Sequence, residues 1–71
     1  MRIKDLREDN NLTQRQVAEY LNIKQNTYSQ YETGARQIPV DALIALATLY
    51  QTSTDYLLSL TDRKTPYPKA K

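Results

Sequence analysis

The sequence contains no cysteine, no histidine, no tryptophan and no phenylalanine, and it has a single glycine in 71 residues. Without cysteine there is neither a disulfide scaffold nor a thiolate metal site. Without histidine the commonest metal ligand and the commonest general base are both missing. One glycine is too few for a glycine-rich phosphate loop. The acids are scattered along the chain rather than paired, so no catalytic residue, cofactor or metal is expected and the protein is read as a non-enzyme. No apolar run approaches the roughly 18 residues of a membrane span. The start, Met1-Arg2-Ile3-Lys4-Asp5, is charged and lacks a signal-peptide core. A cytoplasmic protein with no membrane contact and no small-molecule ligand is the expectation.

What is present suits one small domain. At this length a single hydrophobic core is barely sufficient, so each apolar residue counts. Six tyrosines carry the whole aromatic content, and the net charge is +2. That charge is uneven. Residues 1–61 hold six basic and seven acidic groups, whereas 62–71 hold four basic and one acidic. The sequence therefore divides into a domain over 1–61 and a basic tail over 62–71, where disorder is expected.

Apolar residues recur at helical spacing and no strand pattern is visible. A first helix fits Arg2 to Asn10, burying Ile3 and Leu6, and Asn10-Asn11 breaks it. Thr13 caps a second helix, with Gln16 placed for a capping box and Val17, Ala18 and Leu21 inward. A third helix runs from Gln25 to Glu32 and stops at Gly34. Pro39 opens a fourth, which reaches Tyr50 with Leu43, Leu46, Ala47 and Tyr50 inward. Thr52-Ser53-Thr54 offers caps for a fifth helix through Leu60. The predicted fold is an all-α, compact five-helix domain.

The second and third helices are joined by about three residues, which forces a steep crossing. Ala18 supplies the small residue at the approach, and Asn22 tolerates the left-handed turn. Val17, Leu21, Ile23, Tyr28 and Tyr31 seal the corner. The outward face of the third helix is Gln25, Asn26, Ser29 and Gln30. A solvated face ordinarily carries lysine and glutamate; amides and a hydroxyl suit base edges, since Gln and Asn can bond adenine in the major groove. Lys24 is locally unfavourable, because a cation at a helix start opposes the macrodipole. A phosphate beside it would account for it.

The run LTQRQVAEYLNIKQNTYSQYETGARQIPVDALIALATLYQTSTDYLLSL resembles the lambda-repressor-like (Xre, Cro-type) helix-turn-helix family of bacterial and phage regulators. The resemblance spans about Ile3 to Leu60. It rests on L-T-Q before the second helix, Tyr31-Glu32-Thr33-Gly34 closing the third, the proline and leucine-rich fourth helix, and T-D-Y-L-L near the end. It implies that helices two and three form the helix-turn-helix, with Gln25, Asn26, Ser29 and Gln30 reading bases of double-stranded DNA. It also implies backbone contacts from Thr13, Gln14, Lys24, Arg36 and Gln37, with Gln14 in reach of a recognition-helix side chain. Arg7 and Glu32 match positions that form a structural ion pair. Three positions depart from the pattern: Asn22 stands where glycine is usual, Lys24 where a Ser or Thr cap is usual, and Ala35 where a basic residue is frequent.

Tyr56, Leu57, Leu58 and Leu60 are more apolar residues than one short helix can hide, and in such families this end of the domain forms a two-fold dimer. A homodimer, weak and completed on DNA, is expected to meet a pseudo-palindromic operator. The functional expectation is a sequence-specific transcriptional regulator acting as a repressor. The alternative is a protein-interaction module, or an antitoxin binding a toxin partner, on the same fold.

Overall fold

The computed structural model describes residues 1–60; the basic tail at 62–71 lies outside them. The described residues form five helices and no strand: α1 (Ile3–Asp9), α2 (Gln14–Leu21), α3 (Gln25–Thr33), α4 (Val40–Leu49) and α5 (Thr54–Leu57). No helix is long and apolar enough to cross a membrane.

The starts of the helices follow local chemistry. The Thr13 hydroxyl accepts from the Gln16 N–H at 3.1 Å, and Gln16 Oε1 accepts from the Thr13 N–H at 2.8 Å, closing the capping box. Ser53 caps α5 by accepting from the Tyr56 N–H at 3.0 Å. The helix α3 begins at Lys24 with no side-chain cap, as the sequence predicts for a residue placed there at a local disadvantage.

The ends of the helices share one device. Each helix is followed by a residue of positive φ: Asn11 (57°), Asn22 (58°), Gly34 (83°), Gln51 (51°) and Ser59 (63°). After α1, α2, α4 and α5 the next N–H groups turn back onto the last carbonyls. The Leu12 N–H reaches the Arg7 carbonyl at 3.0 Å, Ile23 reaches Ala18 at 3.0 Å, Thr52 reaches Ala47 at 2.9 Å and Leu60 reaches Asp55 at 2.8 Å. These are Schellman closures, which satisfy carbonyls that a helix end leaves unpaired. Only one of the five turns uses glycine. A non-glycine residue in this conformation gives up about 1–2 kcal/mol, and asparagine offsets part of that through its short polar side chain. Gln51 has no such compensation. Gln51→Gly is expected to raise stability by about 0.5–1 kcal/mol, after the extra chain entropy of glycine is subtracted. An unchanged or lower urea midpoint would contradict that assignment.

The fifth helix is shorter than the sequence suggests. It ends at Leu57 rather than Leu60, because the left-handed Ser59 directs the Leu60 N–H onto the Asp55 carbonyl and no further turn can form.

The core is built from all five helices. Ile3, Leu6, Val17, Ala18, Tyr28, Tyr31, Ile38, Leu43, Leu46, Ala47, Tyr50 and Leu57 are buried, with Leu12, Leu21, Ile23, Ala42, Leu49 and Tyr56 packed against them. Each fully buried aliphatic side chain contributes about 1.5–3 kcal/mol. Leu57 has no exposed surface, which removes it from the expected dimerisation set: its apolar area is used inside the domain. The Arg2 N–H donates to the Leu57 carbonyl at 2.9 Å, and the Arg2 guanidinium lies 4.1 Å from the centre of the Tyr56 ring, fastening the start of the chain to α5. Tyr20 is about half exposed, with its hydroxyl donating to the Ala45 carbonyl at 3.3 Å.

Candidate nucleic-acid interface

The helix α3 is positioned by an ionic hub at its base. Arg7 on α1 donates through Nε to Glu32 Oε2 at 2.7 Å and through Nη2 to Glu32 Oε1 at 3.2 Å, a two-pronged pairing. Its remaining nitrogen, Nη1, donates to the Leu12 carbonyl at 2.9 Å and holds the α1–α2 turn. The same carboxylate accepts from the Tyr28 hydroxyl at 2.6 Å and from Gln14 Nε2 at 2.9 Å. Glu32 thus ties together α1, the first residue of α2, and α3 itself. The Glu32 side chain is only 3% exposed. Burial pushes its carboxyl up, but the bonds from Arg7, Tyr28 and Gln14 outweigh that and hold it below the usual carboxylate range. The bond to Glu32 raises Arg7 further above its already high value. Burial, and then its bond to Glu32, push the Tyr28 hydroxyl well above the ordinary tyrosine range.

Above the hub, α2 and α3 meet through Asn22, whose φ of 58° and ψ of 44° complete the corner that the sequence assigns to it. Val17, Ala18, Tyr28 and Tyr31 are buried at that corner, while Leu21 and Ile23 are half-buried. The result presents the first turns of α2 and α3 side by side. Gln14, Gln25, Asn26 and Ser29 line one shallow concavity between them. Gln25 and Asn26 are exposed and Ser29 is half-buried one turn on. The surface is wholly polar and uncharged, and the one acid beneath it, Glu32, is neutralised by Arg7.

A helix-turn-helix family model matches residues 3–57. The chain belongs to the lambda-repressor-like (Xre-type) helix-turn-helix family. Similar curated proteins of Bacillus subtilis (strain 168) are an uncharacterized HTH-type transcriptional regulator, YobD (42% identical over 65 residues, 92% of this chain and 58% of YobD), and the HTH-type transcriptional regulator ImmR (46% identical over 57 residues, 80% of this chain and 45% of ImmR). A third, the HTH-type transcriptional regulator AnsR, is 36% identical over 69 residues, covering 97% of this chain and 60% of AnsR. The chain therefore spans about half the length of the curated relatives it matches. No solved structure matches it significantly.

Within this helix-turn-helix the residues singled out from sequence fall into separate groups. Gln25, Asn26 and Ser29 share the concavity with Gln14, while Gln30, half-buried beside Ser29, engages the segment after α3: its Oε1 accepts from Arg36 Nε at 2.9 Å. Gln14 is placed at the start of α2 as expected, and the recognition-helix side chain that it reaches is Glu32. The Thr13 hydroxyl is engaged in the cap of α2. Lys24 is exposed at the α3 N-terminus. Arg36 and Gln37 are exposed in the segment after α3 and line a different groove, which also contains Met1, Ile38, Val40 and Leu58.

Two hydrogen bonds of α3 are not anticipated from the sequence. The Tyr28–Glu32 bond was open to detection, because an i, i+4 spacing puts both residues on one side of α3. The Arg36–Gln30 bond was not, because it crosses the Gly34 turn, where helical geometry no longer applies.

Proposed function

We propose that this chain is a sequence-specific DNA-binding transcriptional regulator, acting in the cytoplasm as a repressor, which sets α3 into the major groove of its operator. The observation that carries this reading is the convergence of Gln14, Gln25, Asn26 and Ser29 on one exposed polar surface at the start of α3. Asn and Gln amides and a Ser hydroxyl are the groups that bond base edges in the major groove. The bonds of Glu32 to α1 and α2 hold that surface in a fixed orientation before DNA arrives. Lys24 and Arg36 stand at opposite ends of α3 and supply the positive charge that fixes register on the phosphates. The names of the relatives, all transcriptional regulators, agree with this reading.

The operator contacts are made by a homodimer. Leu58 and Leu60 are 39% and 72% exposed, and on α4 Val40 and Ile44 are 68% and 52% exposed. Val40 of α4 and Leu58, just past α5, line one groove with Met1 and Ile38, which offers apolar side chains to a second copy. A two-fold pair would place its recognition helices in successive major grooves of a pseudo-palindrome.

Two substitutions separate the roles. Asn26→Ala is expected to relax discrimination at one base position by about 1–3 kcal/mol, while Lys24→Ala weakens binding to all sequences alike and lowers the salt slope by about one. These are read by titrating operator variants at several salt concentrations. An Asn26→Ala protein with unaltered base preferences would count against a base-reading role for the concavity.

A further inference from the structure

The segment after α3 folds back onto a single residue of that helix. The Arg36 N–H donates to the Gln30 carbonyl at 3.2 Å, and the Thr33 hydroxyl donates to the same carbonyl at 3.2 Å. Gly34, at φ 83°, makes the reversal possible. This backbone anchor sets Arg36 beside the Gln30 side chain, where Arg36 Nε donates to Gln30 Oε1 at 2.9 Å. A guanidinium has donors and no acceptor. The end of the Gln30 amide that faces it must therefore be the carbonyl oxygen, which leaves the NH₂ group as the end available to a ligand.

We infer that Arg36 is a positioning residue for specificity: by holding Gln30 Oε1 it makes Gln30 read a base that accepts hydrogen bonds, guanine or thymine, in preference to adenine. A free glutamine pairs with adenine by donating to N7 and accepting from N6. With one lone pair of its oxygen taken by Arg36 and that oxygen drawn toward the segment after α3, Gln30 keeps the donating half of that pairing and is the weaker partner for the accepting half. Guanine offers O6 and N7, and thymine offers O4, so either is satisfied by donors alone. This inference rests on the reading of α3 as the base-reading helix. It adds to that reading the orientation of one side chain and the residue that sets it.

The test is selection of bound sites from a random duplex pool by the unmodified protein, by Gln30→Ala and by Arg36→Met. Arg36 is exposed, so the variant is expected to fold, which circular dichroism checks. Gln30→Ala identifies the base position concerned. The unmodified protein is expected to select guanine or thymine there. Arg36→Met is expected to reduce that preference over adenine by roughly tenfold and to leave the positions read by Gln25 and Asn26 unchanged. Selection of adenine by the unmodified protein overturns the inference. So does an Arg36→Met protein that keeps its preference while binding all sequences more weakly with a shallower salt slope, which would make Arg36 a phosphate contact only. If the unmodified protein enriches a site but Gln30→Ala relaxes no position, Gln30 does not read bases and the inference falls with that assignment. If the unmodified protein enriches nothing, the base-reading role of α3 itself has failed.

Discussion

Glu32→Ala is expected to remove about 3–5 kcal/mol of folding stability. The substitution takes away the partner of Arg7, whose side chain is only 12% exposed, and strands a charge that the fold has already withdrawn from water. It also leaves the Tyr28 hydroxyl and Gln14 Nε2 without the acceptor that each now uses. A domain of this size holds only roughly 4–10 kcal/mol in total, so the loss consumes a large part of it. Urea denaturation of the variant provides the measurement, and a change under about 1 kcal/mol would show that the hub is not what holds α3. The double variant Arg7→Met, Glu32→Ala is expected to recover part of the loss, because no lone charge remains. The pairing also makes stability depend on pH. The folded state holds the Glu32 carboxyl below its unfolded value, so the contribution is complete above the usual carboxylate range and declines as pH falls through the folded value. Replacement by glutamine should flatten that acid limb.

The second large effect concerns Leu57. It is fully buried, and Leu57→Ala is expected to remove about 2–5 kcal/mol by losing burial and opening a cavity. Because the side chain lies in the core of one copy, the loss is expected at every protein concentration. Leu60→Asp, at an exposed position, should leave the unfolding of the single domain within about 0.5 kcal/mol and abolish self-association in sedimentation. If instead the Leu57→Ala defect disappeared as protein concentration rose, Leu57 would belong to the subunit interface.

Features set by a few neighbouring residues are legible in the sequence, and those set by a distant or left-handed turn are not. Local signals identified Thr13–Gln16, the Asn10-Asn11 break and Gly34 at the end of α3, because each depends on a few neighbouring residues and a backbone conformation with strong residue preferences. The apolar run from Tyr56 to Leu60 has no such signal. Its helix ends at Leu57 because Ser59 adopts a left-handed conformation that serine does not advertise, and that turn decides which leucines are buried and which exposed. Gln51 is hidden for the same reason. In the interface, helical spacing correctly placed Gln25, Asn26 and Ser29 on one face. The same spacing puts Gln30 beside them, but a wheel carries no information about Arg36, which returns after a glycine turn and holds the Gln30 oxygen. The Arg7–Glu32 pair, 25 residues apart in sequence, was legible only through resemblance to a known family, as no local rule joins α1 to the end of α3.

The most direct test of the central claim is selection of bound sites from a random duplex pool by the folded protein at low salt. One two-fold symmetric site is expected to be enriched, with half-sites about one helical turn apart. Failure of the folded protein to enrich any sequence would contradict the claim, and the polar face of α3 would then have to serve something other than DNA.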